Sequence, residues 1–535
     1  MRGAEQATSG AADSATTAAA ARGSAQAARR DGGPRRGGAA GVTPPPRRRR
    51  GVVLLVLGVL LGVGAFPLLT DLDEAEVTAA EAQAVSVAWQ TRARAAAGPS
   101  EGWSVERIVP VDGDEAVLSG PPGLAWLQAM GFVGVEGGTG GGPPADGVVR
   151  ARRVGAAMSL VALASVFWAG MSLGGLRTAG YAGLVCVANP LLIWHGRTAT
   201  VEPVVAGWVL LGVASALWAV RPLRPSPRLA RLMLGWGLSG LALGLGALTG
   251  GPWVLVLGAL PLLVLGLVCP RRLTHGLGLV AGLALAGLVT IPWAIYVREQ
   301  DPSAWAQRAV WVWPWATGSG VGSRVWGLVV GPGLWLPVVV VGLVAPWLRG
   351  GDEGRRRMLL GWSMGVTGVL VCLAGPGGAG RESGSGSALP AVLLLTLVAG
   401  QFVARVAERA ARFEPSPMWR WAAIPTAGLV LGASLVGPAR MERYLSAATG
   451  DQGQAWWVAA GVLTVLALLA ARWSVRQSPA RCAVVWAAWS VAAAGLVLIP
   501  VTREVPPGAG GTVGAEGVGG ASGVVERVDA AGEPV

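Results

Sequence analysis

Apolar residues recur in long runs of about 17–22 positions, the length a helix needs to cross a bilayer. The runs fall near 51–70, 154–175, 178–195, 203–220, 232–249, 252–268, 275–297, 326–347, 358–375, 388–404, 421–438, 455–471 and 482–500. Most connections between them are short and polar; two are longer, 71–150 and 298–325. The pattern predicts an all-α polytopic membrane protein with about thirteen transmembrane helices, since an unbroken helix satisfies its own backbone in lipid.

Charge gives these runs a direction. With residues 1–50 in the cytoplasm, each even-numbered run would return the chain there. The loops that follow those runs hold Arg177; Arg221, Arg224, Arg228 and Arg231; Arg271 and Arg272; Arg349 and Arg355 to Arg357; Arg405, Arg409, Arg412 and Arg420; Arg472, Arg476 and Arg481. The opposite loops carry isolated charges, and the residues after 500 are net acidic. The positive-inside bias therefore predicts a cytoplasmic (inner) membrane protein with a cytoplasmic N-terminus and an extracytoplasmic C-terminus. Residues 71–150 become a long first outer loop, and loops of that length tend to be functional.

The outer loop opens with "FPLLTDLDEAEVTAAEAQ". Its pattern predicts an amphipathic helix over about 73–95, with Asp71 as cap and Asp73 and Glu76 on one face. "PPGLAWLQAMGFVGV" reads as an interfacial helix anchored by Trp126, and residues 137–143 as a flexible Gly-rich stretch. In the second outer loop, 298–325, Trp305, Trp311, Trp313 and Trp315 suit the headgroup plane.

Composition agrees with a membrane domain over 51–500. Of 535 residues 52% are hydrophobic and only 14% charged, and mean hydropathy is +0.53. Lysine is absent, so all 43 basic side chains are arginine. Ten arginines against Glu5, Asp13 and Asp31 make residues 1–50 a disordered basic cytoplasmic tail facing anionic lipid. That tail has no aromatic to stack on a base, which argues against nucleic acid. Residues 501–535 read as a disordered outer tail. Cys186, Cys269, Cys372 and Cys482 lie in or beside separate runs, and with only His195 and His275 available neither disulfides nor a histidine-built metal site are indicated.

Seven landmarks, in order across 51–405, resemble the lipid-linked-sugar glycosyltransferases of GT-C fold, in particular the bacterial aminoarabinose transferase and protein O-mannosyltransferase-like proteins. "DLDEAEVTAAE" sits where that family has an Asp-Glu pair, and "SGPPGLAWLQAMGFV" is similar to its Lys-Pro-Pro-Leu-x-x-Trp-Leu segment. "VRARRVGAAMSL" resembles its Arg-Leu-Pro-Ser-Ala helix entry, aligning Arg153. "ANPLLIWHGRTATVEP" matches a Pro…Arg…Asp stretch through Arg197, with Glu202 in place of the acid. "GLGALTGGPWVLVL", "TIPWAIYV" and "GRESGSGSALPAVLLL" complete the series. The departures are specific. Gly120 and Gly250 replace both lysines of the pattern, and Val77 stands where a tyrosine usually follows the acidic pair.

The resemblance implies transfer of a sugar from a polyprenyl-phosphate donor to a lipid, glycan or protein acceptor at the outer face. Such a reaction needs a base for the acceptor's proton, positive groups for the leaving phosphate and an apolar groove for the lipid. Asp73 and Glu74 suit the first role. Arg153, Arg197, Arg308 and Arg381 suit the second, because a guanidinium fork binds phosphate oxygens in pairs, with Glu202 beside Arg197. No cofactor is required, although clustered carboxylates are compatible with a divalent metal. Two other classes stand against this one. A relative that has lost catalysis and acts as a scaffold would explain Gly120 and Gly250, whereas a transporter would be expected to show repeated halves or mid-membrane charge, which the sequence lacks.

Overall fold

A computed structural model describes residues 46–70, 72–73, 77–96, 109–112, 115–117, 121–134, 143–220, 229–268, 272–302, 325, 327–329, 331–348, 352–374, 388–413, 416, 418–430, scattered positions between 461 and 472, and 478–501. The chain forms two compact units, Met1–Leu55 and Val56–Val535. The described part of the first is the beginning of α1 (Pro46–Leu69). The second carries the rest of α1 and every other element.

The segment that follows α1 contributes α2 (Ala79–Ala96), a small antiparallel hairpin of β1 (Val111–Asp112) and β2 (Glu115–Ala116), and α3 (Gly123–Gly131). Then come α4 (Gly147–Gly174), α5 (Leu176–Val187), α6 (Pro190–Gly196), α7 (Val201–Val220), α8 (Leu229–Gly250), α9 (Trp253–Val268) and α10 (Arg272–Gln300). A 3₁₀ turn at Gly333–Trp335 leads into α11 (Leu336–Leu348), followed by α12 (Asp352–Ala374), α13 (Leu389–Ala411) and α14 (Pro479–Val501).

Among the described residues six helices are long and apolar enough to cross a membrane, or seven if a bent pair counts as one. The runs near 252–268, 326–347 and 358–375 appear as shorter apolar helices, and much of 421–438 and 455–471 lies outside the described residues. The fold is thus mostly helical with at least six apolar spans. One expected span needs correction: the run at 178–195 is broken into α5 and α6, bent by 60°. Pro190 cannot donate a backbone hydrogen bond, and Asn189 starts a new helix by accepting from the Leu192 N–H at 3.1 Å.

Packing separates central helices from peripheral ones. α13 lies buried along nearly its whole length and α7 almost as deeply, with the charged residues of α13, Arg405, Glu408 and Arg409, confined to its C-terminal turns. Small residues let the helix axes approach. A Cβ on Gly400 of α13 would stand 2.5 Å from the Ala182 backbone of α5, and Gly240 of α8 meets the Gly282 backbone of α10 in the same way. α10 turns Leu273, Leu277, Val280, Leu288, Ile291 and Ile295 outward. In water that stripe would be costly to leave uncovered; in a bilayer it is simply the lipid-facing side.

The described residues between α1 and α4 dock on this bundle through a compact apolar seam. Val85, Ala88 and Trp89 of α2 pack with Phe132 after α3, Ala151 of α4 and Ala199 before α7. Trp89 and Phe132 meet edge to face at 5.6 Å. Trp126, expected as a membrane anchor, packs against Trp293 of α10 at 6.1 Å.

Candidate functional site

The helix expected to begin at residue 73 begins later. Leu72 and Asp73 lie in a turn, and α2 begins at Ala79. A capping box sets that start: Thr78 Oγ1 accepts from the Glu81 N–H at 3.2 Å, while Glu81 Oε2 accepts from the Thr78 N–H at 3.3 Å. Thr78 therefore caps the helix in the place foreseen for Asp71. Asp73 lies in the turn and not on a helical face; Asp71, Glu74 and Glu76 lie outside the described residues.

Glu81 does more than cap. Its side chain is 1% exposed and receives the Arg152 guanidinium as a two-pronged pair, Nε to Oε1 at 3.0 Å and Nη2 to Oε2 at 3.0 Å. Oε1 also accepts from the Ala199 N–H at 2.7 Å. Burial pushes this carboxyl toward its neutral form, but the hydrogen bonds from Arg152 and Ala199 and the nearby positive charge outweigh it, so it titrates below the ordinary 4.5. A carboxyl depressed in the folded state adds stability above its unfolded value and loses it as pH falls through the folded one. Thermal stability should hold steady above about pH 4.5 and fall in more acid solution. Glu81→Gln should be less stable near neutrality and should lose this part of the acid dependence; a thermal scan across pH checks both.

Arg152 has a third contact. Its Nη1 donates to the Leu72 carbonyl at 2.8 Å, one residue before Asp73. Arg197 reaches the backbone five residues earlier, Nη1 to the Pro67 carbonyl at 2.9 Å. Pro67 lies in the last turn of α1, where carbonyls have no intrahelical donor and a positive charge suits the helix dipole. Two buried arginines thus grip the six-residue stretch that carries the chain from the end of α1 to Asp73.

The other foreseen residues divide clearly. Asp73 is exposed at the turn, Arg153 is exposed on α4, and Arg197 and Glu202 are buried. Glu202 occupies the first turn of α7 and interacts electrostatically with His195 at the end of α6. Glu202 Oε2, His195 Nε2 and Ser159 Oγ are buried without a hydrogen-bond partner among the described residues. Gln128 of α3 donates to the Ala199 carbonyl at 3.0 Å, closing the site from the loop side. Arg308, Arg381 and Gly120 lie outside the described residues. Gly250 is packed tightly, since a Cβ there would stand 2.5 Å from Val205. Among the described residues no three His, Cys, Asp or Glu side chains gather to hold a metal ion.

Glu81 and Arg152 were not singled out by sequence. The first signal was the Thr-x-x-Glu spacing at 78–81. The second was helical period: Arg152 shares a stripe with Gly155, Ala156 and Ser159, all buried, so of the adjacent arginines Arg152 is the one turned inward.

No protein-family model matches the chain. Its sequence is similar to undecaprenyl phosphate-alpha-4-amino-4-deoxy-L-arabinose arabinosyl transferase 1 of Sodalis glossinidius, 33% identical over 131 residues, or 24% of this chain and 23% of that protein. A transferase of the same description from Pseudomonas aeruginosa is 38% identical over 133 residues, covering 24% of this chain and 23% of its own length. The chain therefore matches about a quarter of the length of these curated relatives. In structure it is similar to ArnT from Cupriavidus metallidurans bound to undecaprenyl phosphate, with a TM-score of 0.59 and 18% identity over 85% of this chain and 77% of that one. The apo form of the same protein gives 0.58 and 19% over the same shares. The resemblance to the aminoarabinose transferases read from the landmarks is borne out, and the GT-C fold with it.

Proposed function

We propose that the protein is a membrane glycosyltransferase that moves a sugar from a polyprenyl-phosphate donor to an acceptor at the outer face of the cytoplasmic membrane. The observation that carries this reading is Asp73: an exposed carboxylate at the end of α1, on backbone held by Arg152 and Arg197, in a fold shared with a protein solved bound to undecaprenyl phosphate. Asp73, with Glu74 next in sequence, takes the acceptor's proton as its oxygen or nitrogen attacks the anomeric carbon. The bond from that carbon to the phosphate oxygen breaks, and polyprenyl phosphate leaves. Arginine offsets the charge gathering on the phosphate, with Arg197 the buried candidate and Arg153, Arg308 and Arg381 as further candidates. Glu202 orients the Arg197 region through His195. The polyprenyl chain lies against the apolar helices, and the acceptor is a lipid, glycan or protein.

A second reading, a relative without catalysis, draws on Gly250. Where the resembled pattern has lysine, this chain has a glycine against Val205 with no room for a longer side chain. Mass spectrometry of lipids and glycans from cells with and without the gene separates the two. The transferase reading expects one glycoconjugate to disappear and its polyprenyl-phosphate sugar to accumulate; unchanged profiles favour the scaffold.

The orientation is part of the proposal. A topology reporter fused after Arg231 should read cytoplasmic, and reporters near Gly140 or after Pro507 external. An external signal from the 231 fusion would put Asp73 on the wrong side for this chemistry.

A further inference from the structure

We propose that Arg152 is a positioning residue for Asp73: its guanidinium ties the backbone at Leu72 to Glu81 and, through Glu81, to the segment that follows Arg197. This deepens the transferase reading and rests on its assignment of Asp73. The argument starts from what an exposed turn lacks. Asp73 lies outside any helix, and its side chain is exposed. A base that must meet an attacking atom at hydrogen-bond distance cannot wander, and a misplacement of about 1 Å can cost a hundredfold in rate. Something must fix the backbone beneath it.

Arg152 is placed to do this. It is 1% exposed, so water does not compete for its donors. Its bonds from Nη1 to Leu72 and from Nε and Nη2 to Glu81, with the bond Glu81 accepts from the Ala199 N–H, join the segment at 72–81, α4 and the segment after α6. Ala199 is two residues beyond Arg197, whose own Nη1 holds Pro67. The result is a closed circuit, Leu72 to Arg152 to Glu81 to Ala199 to Arg197 to Pro67 and back along the chain. It fixes the candidate base relative to the candidate phosphate-binding arginine. A stabilising ion pair alone would need only the Glu81 contact. The added bond to the carbonyl before Asp73 is the feature that ties this pair to the segment carrying the candidate base.

Arg152→Lys tests the role. Lysine keeps the positive charge and can meet Glu81, but its single ammonium lacks the planar fork that serves both carboxylate oxygens and the Leu72 carbonyl at once. The full-length protein in nanodiscs is compared with wild type by amide hydrogen exchange and by transfer kinetics, using polyprenyl-phosphate sugars extracted from the native membrane as donor. Exchange in the peptide carrying Leu72 and Asp73 should rise about tenfold while helices such as α13 are unchanged. The kcat should fall by about tenfold or more, with the donor KM within about twofold. If Arg152→Lys does not fold, Glu81→Gln supplies the same comparison, because it weakens the other half of the circuit. Unchanged exchange at Leu72–Asp73 would overturn the proposal. So would wild-type kcat in the variant when Asp73→Asn is inactive. Wild-type turnover in Asp73→Asn would instead remove Asp73 as the base, and the exchange result would then decide alone whether Arg152 fixes this segment.

Discussion

Asp73→Asn should abolish sugar transfer while leaving the protein folded and able to bind its lipid donor. The substitution keeps the shape of the side chain and removes its basicity, and the loss of a general base commonly costs about 10²–10⁴ in rate. Folding should survive because the side chain is exposed, and the contacts that hold this segment run through the backbone at Pro67 and Leu72. The loss should therefore appear in kcat and hardly in donor KM, the signature of an interaction that matters in the transition state. Turnover with purified Asp73→Asn, alongside a thermal scan, reads both quantities. A variant as active as wild type, with Glu74→Gln also active, would remove the acid–base role from this cluster.

The second large effect is expected at Arg197. Replacing it with alanine removes a buried guanidinium that is 5% exposed and releases the Pro67 carbonyl. Removing one partner of a desolvated, charge-assisted contact costs about 2–5 kcal/mol, which for donor binding is roughly thirtyfold or more. Arg228→Ala, in a loop assigned to the cytoplasmic side, should leave donor affinity unchanged. Binding of a fluorescent polyprenyl phosphate to the purified variants makes the comparison. Equal affinities in Arg197→Ala and wild type would free the phosphate from Arg197 and turn attention to Arg308 and Arg381.

Spans were legible in the sequence because bilayer crossing imposes a length and a composition that local pattern carries. The helices at 147–174, 201–220, 229–250, 272–300 and 389–411 all coincide with expected apolar runs. The break between α5 and α6 was written there too, in Asn189-Pro190, but a hydropathy window averages over it. After α1 the acidic cluster drew the helix start to residue 73, when Thr78 and Glu81 form the box that fixes it at Ala79. Charge density favours a helix N-terminus in general; a reciprocal cap defines one in particular.

The site was less legible for a physical reason. The bonds that build it span 71 residues from Arg152 to Glu81, 118 from Ala199 to Glu81 and 130 from Arg197 to Pro67. A local pattern says that arginines at 152 and 153 begin a helix, and only the packed bundle says which one is enclosed. The resemblance pointed to Arg153, one residue away from the side chain that holds Leu72. Arg197 was found because its motif places it at a helix end. Its partner there, a backbone carbonyl, leaves no trace in sequence.

The central claim, that this chain consumes a polyprenyl-phosphate sugar through Asp73, is tested most directly by one lipid measurement. Purified protein in nanodiscs is incubated with lipids and acceptors extracted from the native membrane, and polyprenyl phosphates are quantified by mass spectrometry over time. The account predicts that one polyprenyl-phosphate sugar declines as the matching polyprenyl phosphate rises, and that Asp73→Asn leaves both constant. Constant levels with wild-type protein, or the same conversion with wild type and Asp73→Asn, would contradict it.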